Sequence, residues 1–89
     1  MDDSTLNAIE EEIIQRVNNN ETVYIDSGAA NDVITSYSIQ KFKRGWSEYE
    51  EKEITFTTTA CIFPKEIKLS YYDNVDTEEF NGELFVHVW

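Results

Sequence analysis

Apolar residues recur along residues 3–18 at the spacing of one helix face: Leu6, Ile9, Ile13 and Val17, with Ile14 alongside. Asp2, Asp3, Ser4 and Thr5 offer capping oxygens and negative charge at its start. Glu10, Glu11 and Glu12 fall between the apolar positions and read as its wet side, and Asn18-Asn19-Asn20 as its stop. The period then changes to two. Residues 21–26 read as a strand with Val23 and Ile25 on one face, closed by the turn residues Asp26-Ser27-Gly28. Over residues 29–40 two spacings compete. Ala30, Val33, Tyr37 and Lys41 keep a helical interval, while Val33, Thr35, Tyr37 and Ile39 alternate; the β-branched content favours a strand over 33–42.

After a turn at Lys43-Arg44-Gly45, residues 52–63 (KEITFTTTACIF) form the clearest strand, with Ile54, Phe56, Thr58 and Ala60 on one face. Pro64 is expected to end it, since proline cannot donate to the ladder. Residues 66–73 read as a further strand, 73–82 as a polar loop, and 82–89 as the last strand, with Leu84, Val86 and Val88 on one face. The sum is an α+β domain spanning 1–89: an N-terminal helix packed on a four- to five-stranded antiparallel sheet.

Charge changes the picture most. Eighteen acids against seven bases give a net charge of −11. Such a field repels nucleic acids and anionic membranes and speeds association with basic surfaces. Direct nucleic-acid and membrane binding are therefore excluded as expectations. The segment MDDSTLNAIEEE has neither the basic nor the apolar region of a signal peptide, so a cytoplasmic location is expected. The lone Cys61 permits no disulfide within the chain.

Catalytic chemistry finds little support. His87, the only histidine, lies in an aromatic strand beside Phe85 and Trp89 and reads as a packing or surface residue. A thiol nucleophile would need Cys61 within hydrogen-bond reach of it. Asp73 to Glu79 gathers oxygen ligands but lacks the EF-hand spacing, and one Cys with one His cannot build a structural zinc site. The expectation is a non-enzyme with no metal and no cofactor.

The acids cluster instead as a binding surface. Glu48, Glu50, Glu51 and Glu53 precede the main strand, and Asp73, Asp76, Glu78 and Glu79 lie in the late segment. On an extended chain, alternate carboxylates stand about 6–7 Å apart on one face, comparable to neighbouring phosphates. Trp46 and Tyr49 would add the large aromatic contacts that dominate interfaces. The competing reading is that these glutamates only keep a strand soluble and its edge unpaired. Hairpin geometry is expected to bring Lys41 or Lys43 to Glu50 or Glu51.

The segment Phe42-Lys43-Arg44-Gly45-Trp46-Ser47-Glu48-Tyr49-Glu50-Glu51 resembles a stretch of a small acidic phage anti-CRISPR protein that blocks a type II Cas nuclease by DNA mimicry. That resemblance implies an inhibitor of a nucleic-acid-binding protein, located in the host cytoplasm, with Glu48, Tyr49, Glu50 and Glu51 as contact residues. The expected partner is a basic protein such as a CRISPR effector, a restriction enzyme or another nuclease, met by a monomer or weak homodimer. Two alternatives stay open: an immunity or antitoxin-like binder of a basic toxin enzyme, and a structural module that oligomerises through the edge of a C-terminal strand, Leu84 to Trp89.

Overall fold

The computed structural model describes residues 3–26, 31–43, 45–46, 48–60 and 63–89. Helix α1 (Asp3–Asn18) forms where the apolar spacing predicts it, with Asp3 in its first turn and Arg16 in its last, both favoured by the helix dipole. It stops at Asn20, whose φ of 61° is a left-handed conformation that asparagine tolerates. Strands β1 (Val23–Asp26), β2 (Asn31–Phe42), β3 (Glu51–Ala60) and β4 (Phe63–Ile67) follow, then a short 3-10 turn (Leu69–Tyr71) and strands β5 (Val75–Phe80) and β6 (Glu83–Val88). The segment with two competing spacings is thus strand from Asn31 onward.

All six strands form one sheet in the order β4-β3-β2-β1-β6-β5. Strands β1 and β6 pair in parallel at its centre, and every other pair is antiparallel. The α+β class holds, but the expected four- to five-stranded antiparallel sheet is corrected to a mixed sheet of six strands. Three segments account for the difference. Pro64 does not end a strand; it sits within β4, an edge strand, where a residue without an N–H is tolerated. Segment 66–73 is not one strand, because the chain leaves the sheet after Ile67 and turns through Leu69–Tyr71. Segment 73–82 is not a loop, because it carries β5.

Strands β5 and β6 are joined by Asn81-Gly82, with φ of 53° and 79°. Two successive positive φ angles make the two-residue turn whose twist matches that of the flanking strands. A Cβ on Gly82 would meet nothing within 4 Å, so its conformation alone opposes a side chain. Gly82→Ala is expected to lower stability by about 1 kcal/mol, read as a shifted urea midpoint with unchanged slope.

The core lies between α1 and one face of the sheet. Val23, Ile25, Ile34, Ile54, Phe56, Leu84, Val86 and Val88 are buried there, closed over by Ile13 and Leu69. In β2 the register shifts between Ile34 and Ser36, a bulge that carries Thr35. It turns Ile34 inward before the bulge and sets Tyr37 opposite the buried Phe56 after it. The simple alternation of Val33, Thr35, Tyr37 and Ile39 is corrected accordingly. Arg16 ties the helix to the far end of the sheet: its guanidinium donates to Glu12 at 3.3 Å, to Glu79 at 3.2 Å and to the Gly82 carbonyl at 3.2 Å.

Strands β2 and β3 outrun the rest. Beyond Tyr37↔Phe56 they pair only with each other, from Ser38↔Thr55 to Phe42↔Glu51. This two-stranded arm, about 17 Å long at the rise of a strand, accounts for a molecule measuring 44 × 26 × 26 Å.

Candidate protein-binding site

The sequence-predicted contact residues fall in two places. The first is the tip of the arm. The chain reverses there beyond the Phe42↔Glu51 pair, with Gly45 at a φ of 53°. Trp46 is 102% exposed and Tyr49 is 82% exposed, while Glu48, Glu50 and Glu51 are exposed beside them. Large aromatics so exposed to water offer ready contact area for another molecule.

The expected pairing across the hairpin is present, with Lys41 Nζ 3.8 Å from Glu50. Both side chains are exposed, so the pair contributes at most about 1 kcal/mol. Its consequence is local: one tip carboxylate is partly neutralised. Glu48 lies in a bend and Glu50 precedes β3, so the phosphate-like spacing of a strand applies only to Glu51 and Glu53. Glu53 in turn is held by the Lys68 ammonium, whose pKa is raised chiefly by that hydrogen bond. The Lys68 ammonium also sits 5.4 Å from the Tyr71 ring centre.

The second place is β5 and the bend before it. Four inter-strand steps separate β3 from β5, roughly 19 Å at the usual spacing. Asp73, Asp76, Glu78 and Glu79 therefore do not join the arm in one patch. Asp73 is exposed before the strand, and Glu79 is spent on Arg16. Asp76 and Glu78 share the register of the sheet face opposite α1. There His87 stands between two carboxylates, with Nδ1 3.5 Å from Asp26 and Nε2 3.5 Å from Glu78. Beside it Tyr24 and Phe85 stack with centres 4.8 Å apart, and a cavity of about 250 Å³ opens between His87, Phe80 and Phe85. Glu83, hydrogen-bonded to the Tyr24 phenol, raises its pKa. His87 is thus a half-exposed residue of the uncovered face, set between two carboxylates. Its pairing with Cys61 lies outside the described residues, as do the cap at Asp2, the turn at Ser27-Gly28 and Arg44 of the turn expected at 43–45.

The C-terminal strand has no free edge: β6 runs between β1 and β5, and Trp89 exchanges backbone hydrogen bonds of 3.0 Å with Asn74. The edges are β4 and β5. This corrects the premise of assembly through Leu84 to Trp89, although Trp89 itself is 62% exposed.

One functional candidate was hidden in the helix. Glu10, expected on the wet side, is only 6% exposed. Desolvation raises its pKa, and the Lys52 amine partly offsets that. Glu10 lines a cleft of about 710 Å³ between the first half of α1 and the arm. The signal was in the spacing, because Leu6, Glu10, Ile13 and Val17 share the three-to-four interval of the buried stripe.

Among the described residues, no three His, Cys, Asp or Glu side chains converge as a metal-holding group, and no helix is long and apolar enough to cross a membrane. No family model, curated protein or solved structure matches the chain.

Proposed function

We propose that this protein is a non-enzymatic inhibitor that binds a basic nucleic-acid-binding protein and occludes its nucleic-acid groove. The observation that carries the reading is the arm tip: Trp46 and Tyr49 stand in water beside Glu48 on a chain of net charge −11. The long-range field draws the partner in, and the aromatics supply the short-range contact that charge alone lacks. Carboxylates at the tip take the lysine and arginine positions that otherwise hold phosphate. The ion pairs at Glu50, Glu53 and Glu79 narrow the set of acids available to a partner, so the tip, with Glu48 and Trp46, is the centre of the surface.

The test is capture of nucleic-acid enzymes from a bacterial lysate on the immobilised protein, with and without added duplex DNA. A Trp46→Ala/Glu48→Gln variant runs alongside. A bound nuclease or effector displaced by DNA, and held at least 30-fold less tightly by the variant, is the expected result, since truncating a hot-spot aromatic costs about 2 kcal/mol. Capture indifferent to DNA, or equal capture by both proteins, would overturn the reading.

A further inference from the structure

The cleft between α1 and the arm has an unusual floor. Glu10 is more than nine-tenths buried, yet no hydrogen bond or ion pair reaches its carboxylate among the described residues. No fully enclosed side-chain oxygen or nitrogen among those residues lacks a partner, so the Glu10 oxygens keep a narrow opening. That opening is the cleft, which Glu10 lines. A buried anion without a partner is costly, and burying it beside apolar neighbours makes a later cation contact correspondingly strong.

The rest of the cleft fits one kind of occupant. Leu6 and Ile54 give an apolar wall beside Glu10. Asp3, Glu50, Glu51 and Glu53 also line it, against two lysines, with Glu50 already paired to Lys41 and Glu53 to Lys68, so Glu10 is the carboxylate on which an entering cation depends. Of these lysines, Lys41 is engaged by Glu50, and Lys52 faces the helix in the register of Ile54 without coming within ion-pair distance of Glu10. An aliphatic stem ending in a weakly hydrated, hydrogen-bonding cation satisfies both wall and floor, and arginine is the side chain built that way.

We infer that the cleft is a receptor for an arginine side chain of the protein partner, with Glu10 as its anchor. The inference deepens the inhibitor reading and rests on it for the partner's identity, but the site can be tested without the partner. Basic nucleic-acid grooves carry arginines to hold phosphate. One of them would enter this cleft while the tip engages its neighbours, so that the helix and the arm grip the partner from two sides. Lys52 competes for the same anion and sets the threshold for entry.

The experiment is a titration of the full chain with N-acetyl-arginine methylamide, followed by amide chemical shifts, with N-acetyl-norleucine methylamide as the uncharged control. Saturable shifts centred on Glu10, Leu6 and Ile54, absent with the control, are expected. Glu10→Gln should weaken the probe about tenfold, the effect of losing one charge-assisted contact. Lys52→Gln should tighten it, and Trp46→Ala/Glu48→Gln should leave it unchanged. Shifts spread evenly over the acidic surface, or equal affinity for Glu10→Gln, would overturn the inference. So would no saturable binding to either the parent or Lys52→Gln. Because the tip variant tests the inhibitor reading and Glu10→Gln tests the cleft, failure of one is distinguishable from failure of the other.

Discussion

Phe56→Ala is expected to remove about 3–5 kcal/mol of unfolding free energy. Phe56 is the largest fully buried side chain among the described residues and is 0% exposed. It sits in β3 between Tyr37 of β2 and Ile67 of β4, on the face that α1 covers. Its ring is therefore flanked by sheet on both sides, the Leu69–Tyr71 turn packs against its strand, and truncation leaves a cavity that rigid strands cannot collapse to fill. A domain of 89 residues has a modest reserve to lose: stability of about 0.05–0.15 kcal/mol per residue places the whole at about 4–13 kcal/mol, so this one effect is a large share of it. Urea unfolding monitored by far-UV circular dichroism checks it, with a midpoint lowered by about 2–3 M at a slope near 1–2 kcal/mol/M. Tryptophan fluorescence would be a poor probe, since both Trp46 and Trp89 are exposed in the native state. A loss under 1 kcal/mol would mean that the β3 face is not the centre of the core.

The legibility of this fold in its sequence follows from where local signals and tertiary contacts agree. The helix, β1, and the inward faces of β3 and β6 were readable because burial on one side enforces a strict period, and Ile54, Phe56, Leu84, Val86 and Val88 keep it. Strand β5 was not readable as a strand from its polarity. Its residues Asp76, Glu78, Glu79 and Phe80 are exposed because an edge strand has only one neighbour and water on its outer side. The local cue was the Asn81-Gly82 pair, a hairpin signal that outweighs polar composition. The parallel β1–β6 pairing joins residues some sixty positions apart, and no local pattern encodes which strands meet at that distance. The bulge at Thr35 hid the inward face of β2 by breaking its alternation midway.

The candidate site divides in the same way. The exposed tip at Trp46, Glu48 and Tyr49 was legible because a glycine turn after a long strand projects its neighbours into solvent. That the β5 acids stand on the far side of the sheet was not, since a list of charges carries no strand order. Internal ion pairs further separate charge count from available charge. Arg16 alone engages Glu12, Glu21 and Glu79, so a net charge of −11 is presented by fewer free carboxylates than the composition suggests.

Glu10→Gln is expected to stabilise the fold at neutral pH, the opposite of its effect on binding. Burial raises the folded-state pKa of Glu10 above the ordinary carboxylate range, and Lys52 only partly counters it. The folded state then holds its proton where the unfolded state has released it. Stability therefore falls as pH rises through that window. The stability associated with the protonated form is fully present below the unfolded pKa and is lost as pH climbs through the raised folded pKa. Glutamine keeps the shape and the neutral form at every pH, so the variant should match the parent below about pH 4, near the unfolded carboxylate range. It should pull ahead as pH rises and hold a constant lead above the folded value. At pH 7 the gain should be on the order of 1 kcal/mol, the low end of what an unpartnered buried polar group costs. Denaturation midpoints of both proteins from pH 3 to 8 give the difference curve. A flat difference would show that the carboxylate is solvated in the native state. A lead that shrinks with rising pH would show that Lys52 closes onto it. A lead that grows, together with weakened arginine binding, would identify a charge held at a cost to stability because the partner needs it.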